Sequence, residues 1–195
     1  DTPTRFIQMS TDCVFAGNTG PYDECSVPDG CSYYDRTKAL GEIMDDKNLT
    51  FRNSIIGPDI NEHGIGLFHW FMKQHTPING FTKAIWTGVT TLTLAKAMER
   101  ALQTNLTGLY NLVNNESINK YNLLCLFNKY FRNNEIQIAK SEKLVLDKTL
   151  LNKRTDFDFE VPSYEQMIIE MKEWVDNHKD CLLYTSPSPR DGATS

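Results

Sequence analysis

Two short apolar runs, RFIQMS (5–10) and NLTFRNSIIG (48–57), constrain the fold more than anything else in the chain. Neither alternates apolar with polar residues, so each reads as a strand covered on both faces, the pattern of a parallel sheet. Between them lie a long loop, TDCVFAGNTGPYDECSVPDG, punctuated by Gly, Pro and Asp, and a helical pattern from Tyr34 with Ala39, Leu40, Ile43 and Met44 at three- and four-residue spacing. Strand, loop, helix, strand is a right-handed crossover unit of a parallel sheet, and it sets the fold class as α/β. A loop of that length inside a compact unit is usually functional.

Downstream, GIGLFHWFMKQ predicts a helix with Leu67, Phe68, Phe71 and Met72 on a bulky face. TPINGFTKAIWTGVT reads as loop or irregular strand. TLTLAKAMERALQ predicts a second helix with Leu94, Ala95, Met98, Ala101 and Leu102 on one side, and GLYNLVN a strand. SINKYNLLCLFNKYF is expected to start at a Ser117 cap and pack Leu123, Leu124, Phe127 and Phe131 inward; EIQIAK is a short strand. SYEQMIIEMKEWVDNH opens on a capping-box signature, Ser163-x-x-Gln166.

Composition narrows the function classes. With 195 residues, 40% hydrophobic, the chain can build a real core. Its formal net charge of −5 and lack of a basic stripe argue against nucleic acid or an anionic membrane as partner. No apolar run is long enough to span a bilayer. The five cysteines show neither CxxC spacing nor a dense framework, as expected for reduced thiols in a cytoplasmic protein. The four histidines lack HxxxH or HExxH spacing, so no metal site is expected.

The chemistry-bearing constellation starts at SYYDRTKALGE (32–42). Tyr34 and Lys38 are four residues apart and share one face of the helix start, whereas Tyr33 has Thr37 at that spacing. Alone this pair is a weak signal. It gains weight from Ser10-Thr11-Asp12 at the carboxyl end of the first strand, because ligands of parallel sheets bind outside those ends. A phenol carries a proton to donate at neutral pH, and a nearby ammonium stabilises the phenolate it leaves behind.

These residues resemble the extended short-chain dehydrogenase/reductase family, whose Ser/Thr, Tyr and Lys form the catalytic set. STDCVFAG…GPYDE…VP…YDRTKALGE, with FRNSIIGP, GLYNLV…SINKYNLL, DKTLLNKR and PSYEQMIIEM, is similar to the dTDP-4-dehydrorhamnose reductase family of nucleotide-sugar reductases. The resemblance runs from Arg5 to about His178. It implies NADP or NAD as cofactor, a 4-keto nucleotide sugar as substrate, and a role in surface polysaccharide synthesis. It assigns catalysis to Thr11, Tyr34 and Lys38, cofactor contacts to Ser10, Tyr34, Lys38 and Ser54, and substrate contacts to Thr11, Cys13 and Ile55. A homodimer is compatible with it.

Three positions depart from the pattern: Cys13 where the family usually has Tyr, Asp35 where Gly usually follows the catalytic Tyr, and Ser54-Ile55 where Ser-Trp is common. Related dehydratases carry a glutamate at the place of Cys13. A dehydratase or epimerase, and a non-catalytic regulatory subunit similar to that of methionine adenosyltransferase, are the rival readings.

Nothing in the sequence resembles GxxGxxG, and AGNTGPY lacks the lysine of a P-loop. The resemblance therefore places the glycine motif, and with it the NADH or NADPH preference, in about 90–100 residues expected ahead of Arg5. The isolated piece, with one sheet edge open, is expected to be unstable or to aggregate. On this reading 1–60 completes a Rossmann cofactor domain and 61–180 is mainly a substrate region that can return elements to it. Residues 181–195, with CLLYTSPSPRD, resemble a translated sequencing adapter and are set aside as non-native.

Overall fold

The computed structural model describes residues 3–61 and 63–178. The expectation for the tail from 181 onward lies outside the described residues. The first parallel strand is β1 (Ile7–Ser10), followed by a single 3-10 turn at Asp12–Val14 and helix α1 (Tyr33–Leu40). Then come β2 (Leu49–Arg52), β3 (Ser54–Ile56), α2 (Leu67–Met72), β4 (Ile78–Phe81), β5 (Ala84–Trp86), β6 (Gly88–Thr90) and α3 (Thr91–Leu102). The chain closes with β7 (Gly108–Asn111), β8 (Ile118–Asn119), α4 (Lys120–Phe131), β9 (Ile138–Ser141), β10 (Leu146–Asp147) and α5 (Tyr164–Asn177).

The strand expected over 48–57 breaks at Asn53 into β2 and β3. β1 and β2 run parallel as expected, with Ser10 opposite Arg52, and β7 joins β2 in parallel with Asn111 opposite Arg52. Ser10, Arg52 and Asn111 thus form one row at the carboxyl edge of the sheet. β1 and β7 are the sheet's outer strands among the described residues. β7, from the second half of the chain, returns to this sheet.

A smaller parallel pair, β3 with β6, continues beyond the edge, and β10-β5-β8 forms a separate three-stranded sheet with β5 in the middle. β4 pairs with β9. The stretch expected to be loop or irregular strand therefore holds three short strands. Gly80 and Gly88 interrupt its apolar pattern, and each admits a close neighbour, Tyr121 and the Ser54 carbonyl respectively, which hid the strands from periodicity.

The main core lies between β2 and β7 on one side and α2 to α5 on the other. Phe51, Phe68, Phe71, Leu112, Leu123, Phe127 and Ile168 are fully enclosed there. Burying one such side chain contributes roughly 1.5–3 kcal/mol, so this aromatic cluster outweighs the exposed ion pairs around it. A second, smaller cluster of Val14, Phe15, Tyr22, Val113 and Leu150 anchors the long loop, with Phe15 and Tyr22 stacked at 4.0 Å between ring centroids.

Several sequence expectations need correction. α1 stops at Leu40, where Gly41 caps it, so Ile43 and Met44 fall outside the helix. In α3 the covered positions are Thr93, Leu94, Ala97 and Ala101, while Ala95 and Leu102 face solvent. α4 is capped by Asn119, not Ser117, because residues 118–119 are spent pairing with β5. Phe131 is only half-buried, at the last turn of α4. Ser163 does cap α5, but the Gln166 side chain turns to Glu170 instead of closing the box.

Candidate active site

Thr11 follows β1 directly and Tyr34 opens α1, so both reach the carboxyl edge of the sheet. A cleft of about 550 Å3 opens there, lined by Ser10, Thr11, Cys13, Tyr34, Lys38, Ser54 and Ile55 together with Met9, Asn53, Ile65, Leu67 and Leu94. All seven sequence-predicted residues border this one cavity. Tyr33, by contrast, is 91% exposed and outside it.

Helix α1 has no buried residue, so packing alone does not fix it. Its position comes from polar contacts. Ser32 Oγ accepts from the Asp35 amide at 3.1 Å, and Asp35 Oδ2 accepts from the Ser32 amide at 3.0 Å. This reciprocal box satisfies two helix-end donors and explains Asp35, the departure from the family pattern. The Ser32 hydrogen bonds hold the Asp35 carboxyl below its usual range. Lys38 Nζ reaches across to donate to the Met9 carbonyl on β1, tying α1 to the strand that carries Thr11. Gly30 allows the loop to pass close by; a Cβ there would stand 2.6 Å from Asp35 Cβ and 2.8 Å from the Cys13 carbonyl.

The hydroxyls differ in availability. The Tyr34 phenol is 57% exposed and makes no hydrogen bond among the described residues, so its proton is free to be given. Thr11 Oγ1 accepts from the Cys13 amide at 3.2 Å and donates to Asp12 Oδ1 at 3.1 Å. Ser10 Oγ donates to Glu42 Oε1 at 2.6 Å, which commits its proton to the protein interior. Cys13 is half-buried, and burial, then the nearby Asp12 charge, push its thiol above the ordinary range.

Sequence reasoning missed the support beneath this edge. Arg52 and Glu42 form a two-pronged ion pair, 2.8 Å from Nε to Oε1 and 2.6 Å from Nη2 to Oε2, behind the Ser10 hydroxyl. Asn53 was also missed, although it follows β2 as Thr11 follows β1, directly after the paired Arg52 and Ser10, so the same strand-end rule marks it.

Residues 2–146 match the RmlD substrate binding domain. The chain belongs to that family. A search of curated proteins finds no match. Among solved structures, it is similar to a hypothetical dTDP-4-dehydrorhamnose reductase from Sulfolobus tokodaii, with TM-score 0.63 and 23% identity over 82% of this chain and 61% of that one. The Bacillus anthracis dTDP-4-dehydrorhamnose reductase, solved with NADP, aligns with TM-score 0.66 and 18% identity over 85% of this chain and 64% of that chain. A UDP-N-acetylglucosamine 4-epimerase from Methanobrevibacter ruminantium gives 0.68 and 16% over 89% and 63%. At these identities the structures share the fold, α/β with a Rossmann-type parallel sheet. This member of the RmlD family spans a little over three fifths of each. No helix among the described residues is long and apolar enough to cross a membrane.

Proposed function

We propose that the full-length protein reduces a 4-keto nucleotide sugar with NADH or NADPH, Tyr34 acting as the general acid, in surface polysaccharide synthesis. The observation that carries the reading is the convergence of Thr11, Tyr34 and Lys38 on one cleft at the carboxyl edge of a parallel sheet.

The residues present suit a dinucleotide cofactor. Lys38 spends one of its three N–H donors on Met9, which leaves donors for ribose hydroxyls, and Ser54 and Asn53 line the same wall. When bound, the reduced nicotinamide supplies hydride to the carbonyl carbon. Tyr34 gives its phenolic proton to the carbonyl oxygen, and the Lys38 ammonium, one helical turn away, offsets the negative charge left on the phenolate. Thr11 turns its hydroxyl from Asp12 to the substrate oxygen, a rotation about one bond, and so aligns the carbonyl with Tyr34.

Dehydration would need a ready base at the position of Cys13, where related dehydratases carry a glutamate. A half-buried thiol pushed up by burial and by Asp12 fills that role poorly at neutral pH, which favours reduction. The test is NAD(P)H oxidation by the full-length protein with a panel of 4-keto nucleotide sugars. Ketone-dependent oxidation is expected. No turnover with any of them, together with a stable complex with a partner enzyme, would replace this reading with the regulatory one.

A further inference from the structure

Successive residues at the end of β1 meet α1 and the turn that follows it. The Met9 carbonyl accepts from Lys38 Nζ, the Ser10 hydroxyl donates to Glu42 Oε1 at 2.6 Å, and Thr11 borders the cleft together with Tyr34. Tyr34 and Lys38 ride on α1, which has no buried residue, so these polar ties decide where the helix stands relative to the strand.

Glu42 comes directly after Gly41, the cap of α1, and its side chain is enclosed. Its carboxylate accepts from Ser10 Oγ and Arg52 Nε on Oε1, and from Arg52 Nη2 on Oε2. The next residue, Ile43, is held to β2: its amide donates to Thr50 Oγ1 at 3.0 Å, and its carbonyl accepts from the same hydroxyl at 2.9 Å. Arg52 and Thr50 therefore fix this turn on β2, and Ser10 joins it to β1. Arg52 already balances the Glu42 charge, so the Ser10 hydrogen bond is not what neutralises a buried carboxylate. What it adds is geometry. A hydroxyl on a carboxylate makes a short, strong bond, and this one fastens the residue before Thr11 to the turn after Lys38.

We infer that Ser10 and Glu42 are positioning residues, whose one hydrogen bond sets the spacing between Thr11 on the strand side and Tyr34 and Lys38 on α1. The inference rests on the reductase reading for the reaction, but not for the placement of the helix. Ser10 borders the cleft, yet its proton is spent on Glu42, so it acts on the site through the backbone it shares with Thr11. Without that bond, the tie between α1 and β1 among the described residues falls to Lys38, the group that must also offset the phenolate. A proton donor and an orienting hydroxyl shifted by about 1 Å lose on the order of a hundredfold in rate.

The test is Ser10→Ala in the full-length protein, which removes the bond and leaves the pair of Arg52 and Glu42 in place. At a fixed pH and with an unchanged thermal transition, hydrogen exchange of the α1 amides should be about tenfold faster, the worth of one such bond, while β2 keeps its wild-type rates. With a 4-keto nucleotide sugar, kcat should fall roughly 10–100-fold, with KM and the Kd of the reduced nicotinamide cofactor within a few-fold of wild type. Ser10→Thr, which keeps the hydroxyl, should restore most of the lost kcat and of the α1 protection. A lowered thermal transition with kcat and α1 exchange unchanged would reduce the bond to stability alone and overturn the inference. So would a raised cofactor Kd with α1 exchange unchanged, which would make Ser10 a cofactor contact. Faster α1 exchange in a protein that reduces no ketone would sustain the placement and sink the reductase reading. Ketone reduction with the same kcat in Ser10→Ala and wild type would do the reverse.

Discussion

Arg52 and Glu42 face one another through two parallel hydrogen bonds with their side chains 1% and 2% exposed, directly beneath the site. Glu42 also receives the Ser10 hydroxyl, and the Arg52 guanidinium lies 4.9 Å from the centre of the Phe15 ring. One pair therefore joins the chain after α1, the strand ends of β1 and β2, and the long loop. Removing one partner leaves a buried charge without compensation, which costs about 3–5 kcal/mol. Arg52→Ala and Glu42→Ala should each lower the unfolding free energy of the full-length protein, read from urea titration, by that amount. Arg52→Met combined with Glu42→Leu should recover much of the loss, since no charge is then stranded. A double variant no more stable than either single one would show that the pair does more than neutralise itself.

Tyr34 and Thr11 should separate in kinetics. Tyr34→Phe removes the proton donor and should cut kcat by roughly 10²–10⁴, the usual contribution of a positioned general acid. Cofactor affinity, measured by fluorescence of the reduced nicotinamide, should change little. Thr11→Val should raise KM as well as lower kcat, because it removes the hydroxyl that orients the ketone, and Thr11→Ser should restore most of both. Undiminished turnover by the Tyr34→Phe variant would take Tyr34 out of the mechanism.

The parallel strands were legible because burial on both faces leaves no polar alternation, as at Leu49–Arg52, where all four residues are buried; β1 carries a similar run although Ile7, Gln8 and Met9 are only partly covered. The site was legible in part for a related reason: strand ends and helix starts are where a parallel sheet gathers polar side chains, which marked Thr11, Tyr34 and Lys38. The strands β4, β5 and β6 were not, since runs of three or four residues interrupted by glycine show no period. Nor was the cavity beside the cleft that Lys120 and Lys148 line. The two lysines are 28 residues apart in sequence and meet only through the β10-β5-β8 pairing. Glu42 read as one more charged residue near a helix end, and only its enclosure beside Arg52 shows otherwise.

The capping box at the start of α1 should make that helix sensitive to acid. Asp35 has a folded-state pKa below its unfolded value, first because of the Ser32 hydrogen bond. Its contribution is therefore complete above about pH 4 and is lost as pH falls through the lower folded value. Protection of the α1 amides against hydrogen exchange, taken relative to the intrinsic rate at each pH, should fall over that acid range in the wild type. In Asp35→Asn that pH dependence should be absent. Ser32→Ala should weaken the helix start by about 1 kcal/mol at neutral pH. Since Tyr34 sits between the two capping residues, both variants should lower kcat without lowering the affinity for nucleoside diphosphates.

Cys13 should report occupancy of the site through its reactivity. Only the thiolate is alkylated, and burial followed by the Asp12 charge raise the Cys13 pKa, so its thiolate fraction at neutral pH is below that of an ordinary cysteine. Cys25 and Cys31 are exposed and should react first with iodoacetamide at neutral pH. Cys13 should lag and gain rate as pH rises beyond about 8.5, the ordinary thiol value. Because Cys13 lines both the cleft of Thr11, Tyr34 and Lys38 and the neighbouring cavity of Lys120 and Lys148, a nucleotide-sugar ligand should shield it while leaving Cys25 and Cys31 open. Peptide mass mapping of the alkylated protein, with and without ligand, reads all three at once. Labelling of Cys13 as fast as Cys31, and indifferent to ligand, would mean that neither cavity receives the substrate.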